Sequence, residues 1–559
     1  MSVLLYLASF AVALVRVCPS VFADDSPETV TASAVLGIPH PPGAPLLVLL
    51  GRLALVLPAG SPGFRLGVLS ALIGALAVVL VWRLACRLVP TPAGKAVAAP
   101  AGKAVAAPAG RAVAALAAFV LVLWNPVIAQ QAAIPKGATY TGAVVLILGA
   151  VLSLADRRAL RAALLAGLLF ALHWMTLAPL FPVLLAGLWL VRPPRAAART
   201  ALLCLFLSGL GASAYLLLPV RAAAHPVVDS GSPRTLRLFV AQITRSRYLE
   251  GEAKPSASSI PRQALGSVKA LHRHFGWGGL ALVLAGAVLL FRSRRTALSF
   301  AGAAAVLPLV AAVLYLDLPD RLMHLMGVFT IGSWLALACV ATAGAGLLAS
   351  RGGKAAVPPA SLAALLLVAA MPLLQWKAVR LAAVDRFTWS YDLSRAMLDP
   401  LPPNAGLVVY GDLDTFPLWY QQWVMGRRTD VLVLNCVMLR HAWYRDDAVR
   451  RGAPPLLLDA ADGPSAVRMM VTGVARPWFT AATQIEGVPP SLKPVPFHLT
   501  WAYSRLGGPG RYPRAFPMRG LIESMDHRTE ASYEMVLGYT VEVLKNTFTS
   551  PPSQVMSDE

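Results

Sequence analysis

Charged side chains are scarce in this chain of 559 residues. They make up 14% of the sequence, and 57% of the residues are hydrophobic, whereas soluble domains contain roughly 25% charged residues. Stretches without any charge, such as 71–82, 143–155 and 362–374, belong to apolar runs that approach the roughly 20 residues a bilayer-spanning helix needs. The composition excludes an ordinary soluble protein and predicts a polytopic membrane protein that is mainly α-helical.

Cysteine is also rare, and its arrangement excludes two common kinds of site. The sequence has no Cys-x-x-Cys pair and no Cys/His cluster, so it supports neither a zinc site nor a disulfide framework. The N-terminus lacks a basic n-region before its apolar run, which predicts a retained first helix rather than a cleaved signal peptide. The cysteines are Cys18, Cys86, Cys204, Cys339 and Cys436.

Basic residues outnumber acidic ones, 49 to 27, and the formal net charge is +22. They concentrate in alternate connections between apolar segments, which is the positive-inside pattern of membrane proteins. A nucleic-acid groove would instead interleave basic and aromatic residues, so membrane lipids are expected as partners and nucleic acid is not. The alternation predicts a cytoplasmic N-terminus. The basic residues of the predicted cytoplasmic connections are Arg83, Arg87, Lys95, Lys103, Arg111, Arg157, Arg158, Arg161, Arg192, Arg195, Arg199, Arg292, Arg294, Arg295, Arg351 and Lys354.

Counting apolar segments against this alternation predicts about eleven membrane crossings. The fifth and sixth are short, and His173 marks the break between them. One long helix there would invert the topology downstream, but the charges argue against it. We expect a transmembrane domain at 1–376 and an outer soluble domain at 377–559. The predicted spans are 2–20, 65–82, 112–130, 138–155, 162–173, 176–191, 200–219, 275–291, 297–316, 322–347 and 355–376.

The soluble domain has an α/β pattern near its start. A β-rich run at 407–410 precedes a Gly-Asp turn and a helical stretch at 416–424, and a second β-rich run follows at 431–434. This order predicts a βαβ unit with a parallel strand pair. Beyond residue 450 the pattern indicates only a helix at 532–545.

An eight-residue repeat lies between the second and third predicted crossings. PAGKAVAA begins at Pro92 and again at Pro100, and PAGRAVAA begins at Pro108. Proline and glycine in every period exclude one continuous helix through the three copies. The segment is either a basic spacer, which we favour, or a contact with anionic headgroups.

Two outer loops, 21–64 and 220–274, are expected on the same membrane face. In the first loop, Asp24, Asp25 and Glu28 form an acidic cluster in a region poor in carboxylates. A partly desolvated carboxylate there could act as a general base. The alternative is solvation and capping of a helix that starts at this point. The apolar segment after Pro41-Pro42-Gly43 predicts a short helix that lies along the interface or dips into it.

Four other residues of the membrane domain are candidates for binding. His40 sits on a stiff turn and could donate to a phosphate or cap the short helix. Arg65 and Arg221, at outer helix ends, could bind a lipid-linked phosphate or extend to headgroups. His173, at a helix break, is either a site residue or a satisfied interior histidine.

Two acids of the soluble domain are candidates as well. Asp412 and Asp414 follow the first predicted strand, at the edge where open α/β sheets place ligands. They could equally be turn and cap residues.

Several separated blocks of the chain resemble a known family. Asp25-Ser26-Pro27-Glu28 and the segment from Leu36 to Leu46, with His40-Pro41-Pro42-Gly43 at its centre, resemble the signature of a large bacterial membrane family. That family was long known only as a domain of unknown function. It is related to the plexin-type protein O-mannosyltransferase and so to the GT-C class of lipid-sugar-dependent transferases. Further matching blocks contain Arg65, His173–Pro179, Tyr215–Arg221, Gly231–Tyr248, Gly411–Tyr420, Arg428–Val431 and Trp443-Tyr444.

The resemblance implies transfer of a mannose-like sugar from a polyprenyl-phosphate donor to a protein or glycan hydroxyl on the outer face. Asp25 would deprotonate the acceptor and Glu28 would assist, with no metal and no cofactor beyond the donor substrate. The donor-binding residues it implies are His40, Arg65, His173, Arg221, Arg245 and Tyr248.

The chain also departs from the family pattern. Pro27 stands where glycine is usual, and the sequence before Gly231 lacks the common tryptophan. The alternative function is a transporter or scaffold of the bacterial inner membrane whose periplasmic domain binds a partner. A transporter would favour polar residues midway along helices and repeat symmetry, and the sequence shows little of either.

Overall fold

A computed structural model gives the architecture of most of the chain. Tyr248, the predicted helix at 532–545 and the first two octapeptides lie outside the described residues. The structure describes residues 1–88, 108–191, 197–246, 259–315, 325–350, 359–381, 383–473, 476–481, 485–497 and 500–504.

Helices dominate, and the strands are confined to the C-terminal region. The helices of the N-terminal region are α1 Ser2–Leu14, α2 Ser26–Val35, α3 Pro45–Ala54, α4 Pro62–Leu88, α5 Pro108–Leu123, α6 Pro126–Gln131, α7 Gly137–Ala155, α8 Ala159–Leu177, α9 Phe181–Val191, α10 Ala197–Ala212, α11 Leu217–Ala223, α12 Leu236–Thr244, α13 Ser259–Ser293, α14 Arg295–Tyr315, α15 Leu325–Phe329, α16 Ile331–Ser350, α17 Pro359–Leu374 and α18 Trp376–Leu381. The C-terminal elements are α19 Trp389–Leu398, β1 Gly406–Val409, α20 Asp412–Trp419, β2 Leu432–Asn435, α21 Ala442–Arg450, α22 Gly463–Gly473, β3 Trp478–Thr480, β4 Lys493–Phe497 and β5 Thr500–Ser504.

The protein is a polytopic membrane protein. Within the described residues, 7 helical runs are long and apolar enough to cross a bilayer. Eight of the eleven predicted segments overlap these runs. The other three, at 2–20, 112–130 and 355–376, correspond to the shorter apolar helices α1, α5 and α17. The full eleven-crossing topology stays a prediction.

The run Ala159–Val191 has 33 residues, and its backbone breaks at the predicted residue. His173 has the non-helical angles φ −163° and ψ 83°. After the break the chain turns back, because Gly187 of α9 packs against Leu154 at the end of α7. The two short segments expected at 162–173 and 176–191 are therefore separate helical segments that run in opposite directions, as the charges indicated.

The two predicted outer loops meet on one side of the helices. Ile38 pairs with Asp229 in an isolated parallel bridge, and Gln242 donates to the Pro39 carbonyl at 3.1 Å. The short helix expected after Pro41-Pro42-Gly43 is α3. Gly43 has φ +90° at the turn before it, a conformation that glycine adopts without the Cβ clash of other residues.

The C-terminal region contains a mixed five-stranded sheet in the order β2-β1-β3-β5-β4. Strands β1 and β2 are parallel, with Gly406 opposite Leu432, and α20 connects them. The predicted βαβ unit is therefore confirmed, and so is the α/β character of this region. All four residues of β1 and of β2 are buried, as expected for strands covered on both faces.

This C-terminal region packs directly on the first outer loop. Tyr420, just after α20, is buried in one apolar cluster with Val21, Val30 and Leu66. Phe416 of α20 shares another cluster with Val228 of the second loop. The packing brings the start of α20 close to the start of α2.

Candidate active site

A pocket of about 200 Å³ lies where the two outer loops meet the helix ends. We call it the Asp25 pocket. Its lining comes from the first turn of α2, the turn before α3, the start of α7, the break in α8 and the end of α12. The wall includes Asp25, Glu28, His40, Leu47, Val48, Lys136, Thr139, Tyr140, His173, Met175, Arg245 and Phe329.

Asp25 precedes α2 but does not cap it. No side-chain capping bond is present at this position, and the carboxylate instead forms an ion pair with the ammonium of Lys136. The side chain of Asp25 is 25% exposed, so it is accessible from the pocket. The capping alternative is therefore wrong for Asp25, and Pro27 occupies the first turn of α2, where proline is well tolerated.

Glu28 is buried and holds His40 by two bonds. Its Oε1 accepts from the His40 backbone N–H at 2.8 Å, and its Oε2 lies 2.5 Å from His40 Nδ1. With 1% of its surface exposed, Glu28 is not a solvated helix-end residue. The N-cap position of α3 is occupied by Ala44, so His40 is not the capping residue of that helix.

The other ring nitrogen of His40 faces Asp25. His40 Nε2 lies 3.8 Å from Asp25 Oδ2, and one ligand atom each of Asp25, Glu28 and His40 lies within 4.8 Å of the others. This donor set has the spacing and the chemistry to hold a divalent cation. Lys136 supplies a positive charge to Asp25 from the protein itself.

The charges of the pocket shift two pKa values in opposite directions. Burial acts to lower the pKa of His40, but the charge and hydrogen bond of Glu28 outweigh it, so this pKa is raised. Burial lowers the pKa of Lys136 to about 8 and outweighs the nearby carboxylates. The pocket therefore favours a protonated histidine and a lysine that titrates close to neutral pH.

Arg245 and His173 complete the wall opposite Asp25. Arg245 ends α12 with φ +59°, and its guanidinium lies 3.1 Å from Met175 Sδ. His173 Nδ1 lies 2.6 Å from Thr176 Oγ1, and its ring meets that of Tyr140 edge to face. The break in α8 thus turns a histidine into the pocket.

Two of the predicted donor-binding residues lie elsewhere. Arg65 donates to the carbonyls of Leu55 and Ala59 at 2.9 and 3.3 Å, in the loop after α3. Arg221 donates to the carbonyls of Val35 and Leu36 at 3.1 and 2.7 Å, where it caps the end of α2. In the described residues both guanidiniums hold loops in place.

The C-terminal region contacts the pocket wall at His40. The Phe416 ring is stacked on His40 with 6.3 Å between centroids and 9° between planes. The charge of Asp412 acts to raise the pKa values of both His40 and Lys136. Burial raises the pKa of Asp412 as well. For Asp414, burial raises the pKa to about 6, but this residue is not part of the pocket wall.

Lys136 is the site residue that the sequence interpretation missed. It lies in the connection between α6 and α7, which is predicted on the outer face, where the positive-inside pattern leaves few cations. The sequence indicated this residue only through the presence of a single lysine in a connection where few cations are expected. Its neighbours Thr139 and Tyr140 carried no comparable signal, because polar residues in the first turn of a helix are common.

Two family models match this chain. Residues 25–220 match the N-terminal domain of protein O-mannosyl-transferase TMEM260, and residues 390–454 match TMEM260-associated domain 2. Mouse protein O-mannosyl-transferase TMEM260 is 42% identical over 82 residues, which are 14% of this chain and 11% of the mouse protein. The resemblance read from the sequence is thereby confirmed, and the match spans about a ninth of the mouse relative.

Solved structures share the fold over nearly the whole chain. ArnT from Cupriavidus metallidurans in the apo state has a TM-score of 0.56 and 12% identity, and the alignment covers 91% of this chain and 98% of ArnT. The same enzyme bound to undecaprenyl phosphate has a TM-score of 0.53 and 12% identity. This alignment covers 91% of this chain and 99% of ArnT. The GT-C-like architecture with a C-terminal α/β region is confirmed.

Proposed function

We propose that this chain, which has the GT-C fold and two domains of the TMEM260 type, is a glycosyltransferase. It moves a mannose-like sugar from a polyprenyl-phosphate donor to a hydroxyl group of a protein or glycan. The observation that carries the proposal is the Asp25 pocket, where an accessible carboxylate, two cationic side chains and a carboxylate-held histidine converge. The wall residues of the pocket other than Arg245 and Phe329 lie within residues 25–220, which match the transferase domain.

Asp25 is the group best placed to accept the proton of the acceptor hydroxyl. Its carboxylate is ion-paired, which favours the charged form that a general base needs. As the hydroxyl oxygen attacks the anomeric carbon, its proton passes to Asp25. The bond from that carbon to the phosphate oxygen breaks, and the electron pair leaves with the lipid phosphate.

Lys136 and Arg245 are the groups that stabilise the departing phosphate. Both line the pocket, and their positive charges act on each other, since Arg245 helps to lower the pKa of Lys136. Negative charge that develops on a leaving phosphate is stabilised most by cations already fixed in a partly dry site. This assignment replaces Arg221 as the main phosphate group and retains Arg245.

Glu28 and His40 form a positioning pair. Glu28 fixes both the backbone and the ring of His40, and His40 Nε2 points to Asp25. The protonated ring keeps the base ionised and oriented, and Phe416 stacks on that ring.

Apolar side chains beside the pocket support a path for the lipid chain of the donor. Leu47, Val48 and Phe329 belong to its wall, and Leu49 and Leu53 of α3 are exposed at 37% and 68%. We place α3 against the lipid chain of the donor. The undecaprenyl phosphate bound to ArnT supports a carrier of this chemistry. The charge alternation supports a bacterial inner-membrane location, with a cytoplasmic N-terminus and a periplasmic C-terminal region.

The test is sugar transfer by the purified full chain with radiolabelled polyprenyl-phosphate mannose and acceptor peptides. Asp25→Asn should lower kcat by about 10² to 10⁴, the usual worth of a positioned general base. Asp446→Asn, which changes an exposed carboxylate of α21, is the matched control and should retain full activity. Transfer that survives Asp25→Asn would refute the assignment of the base, and no transfer with any donor would favour the scaffold alternative.

A further inference from the structure

A second and larger cavity lies at the other end of the helices. Its volume is about 520 Å³, and we call it the arginine cavity. Five guanidinium side chains from three separate helices and their flanks contribute to its wall. They are Arg83, Arg87, Arg111, Arg158 and Arg161.

Helix α7 connects the two sites and fixes their separation. Lys136 of the Asp25 pocket immediately precedes α7, and Asp156 of the arginine cavity immediately follows it. The 19 residues of α7 span about 28 Å at 1.5 Å per residue, close to the thickness of a hydrocarbon core. The arginine cavity is therefore at the opposite membrane boundary and takes no part in sugar transfer.

Among the described residues, the carboxylates near this cavity do not balance its charge. Asp156 forms an ion pair with Arg87, and in the described part of the chain it is the one acidic residue of the wall. The side chains of Arg83, Arg158 and Arg161 are exposed to the cavity or to solvent beside it. Guanidiniums held near one another repel, and an anion between them removes that repulsion.

The positive-inside pattern alone would scatter arginines over the surface, but here they converge. Arg83 and Arg87 come from α4 and Arg111 from α5, so residues distant in sequence meet in one concave site. Leu80 and Leu152 add an apolar wall. Trp82 donates its indole N–H to the Arg111 carbonyl at 3.2 Å, which ties α4 to α5. A basic pocket with an apolar side at a membrane boundary fits a phosphorylated headgroup joined to acyl chains.

We propose that the arginine cavity binds the phosphate of an anionic phospholipid headgroup. We place this lipid in the inner leaflet, which rests on the proposed function and its orientation, whereas phosphate binding itself does not. Free phosphate offers the same chemistry to the guanidiniums, and the experiment separates these two sources.

Cys86 provides the probe, because it lines the cavity and is partly exposed. A full-length variant that keeps Cys86 and replaces the other four cysteines by alanine is placed in nanodiscs, and labelling with an uncharged maleimide is timed. The nanodiscs contain phosphatidylcholine alone, phosphatidylcholine with phosphatidylglycerol, or phosphatidylcholine with added inorganic phosphate. We expect Cys86 to be labelled at least about fivefold more slowly in nanodiscs that contain phosphatidylglycerol, because this lipid should occupy most of the arginine cavities.

A pair of substitutions separates a built site from general surface charge. Arg158→Gln with Arg161→Gln should restore fast labelling. Arg292→Gln with Arg294→Gln removes the same charge from another connection with the same predicted orientation and should leave the protection intact. Equal labelling in all three membranes, or equal loss of protection in both pairs, would overturn the proposal.

Two further results test whether the bound phosphate belongs to a lipid. Protection by inorganic phosphate alone would retain a phosphate site but overturn its assignment to a lipid. Native mass spectrometry of the wild-type chain, with phosphatidylglycerol retained by the wild type and lost from the Arg158/Arg161 variant, gives a second measure that needs no cysteine replacement. Neither readout depends on sugar transfer, so this proposal and the proposed function can fail separately.

Discussion

Lys136 holds Asp25 in an ion pair, and burial lowers the pKa of its ammonium to about 8. If the charged ammonium stabilises the leaving phosphate, kcat/KM should fall as pH rises through about 8, because this parameter reports the free enzyme. Lys136→Gln should lower kcat by about 10² to 10³, as loss of a charge-stabilising group does. Sugar transfer measured from pH 6 to 10 in the wild type and the variant checks both expectations.

Lys136→Arg is the control for that pH profile. An arginine stays protonated across the range, so the alkaline decline should disappear even if the absolute rate is lower. A decline near pH 8 that persists in Lys136→Arg would assign the titration to another group.

Glu28→Gln should destabilise the protein in a pH-dependent way. The pKa of His40 is raised in the folded state, so the stability from this pair is fully present below the unfolded value of about 6.5 and is lost as pH rises through the folded value. The deficit of the variant should be about 1–3 kcal/mol at low pH, since a buried partner loses its acceptor, and should shrink at high pH. Apparent melting temperatures at a series of pH values measure it. In a His40→Gln background the pH dependence of the deficit should vanish.

Single residues of the site were only partly predictable. Asp25, Glu28 and His40 stand out in the sequence because carboxylates are rare and prolines fix the turn. Their mutual contacts were not predictable, because Glu28 and His40 meet across a fold-back of twelve residues. Arg65 and Arg221 look like ligand groups in sequence, but their carbonyl partners depend on where the loops end.

At the scale of elements, the start of α7 depends on one glycine. A Cβ at Gly137 would lie 1.6 Å from the Gln131 carbonyl oxygen, so the α6–α7 connection would have to move and take Lys136 with it. Gly137→Ala should therefore cost at least about 2 kcal/mol, in the range of severe overpacking, and should abolish most transfer activity. Thermal unfolding and the transfer assay measure the two effects.

Gly209→Ala in α10 is the matched control. Nothing lies within 4 Å of a Cβ at that position, so helix propensity alone should make the change neutral or stabilising by about 0.5–1 kcal/mol. A Gly137→Ala protein as stable and active as Gly209→Ala would contradict the close approach.

Elements were predicted better than contacts. The break at His173, the short helix α3 and the β1-α20-β2 unit follow from hydrophobic periodicity and turn residues, and the structure contains all three. Helix α2 was expected only as a capping alternative, because its sequence SPETVTASAV has no amphipathic stripe. It is held by burial between the membrane helices and the C-terminal region, which no local pattern encodes.

At the scale of the whole molecule, the C-terminal region is coupled to the Asp25 pocket through charge. Asp412 acts to raise the pKa values of Lys136 and His40. Asp412→Asn should therefore lower the pKa of Lys136 further and move the alkaline decline of kcat/KM below pH 8. Asp446→Asn should leave the profile unchanged. An identical profile in the two variants would show that the C-terminal region does not act on the chemistry.

The contact between the two regions lies beyond sequence reasoning. Asp412 was expected at a ligand edge of the sheet, but nothing local indicated that this edge would face α2. The stacking of Phe416 on His40 joins residues 376 positions apart, and only the assembled fold brings them together. The division at residue 376 remains a prediction.

The length of helix α7 fixes the distance between two charged groups at its ends. Charged groups sit at both of its ends, Lys136 and Asp156, with 19 helical residues between them. A bilayer whose apolar core is much thicker than about 28 Å would draw one charged end into hydrocarbon, at a cost that grows with each ångström of mismatch. The chain is therefore suited to membranes of ordinary thickness, and its turnover should decline as the acyl chains of the host bilayer are lengthened.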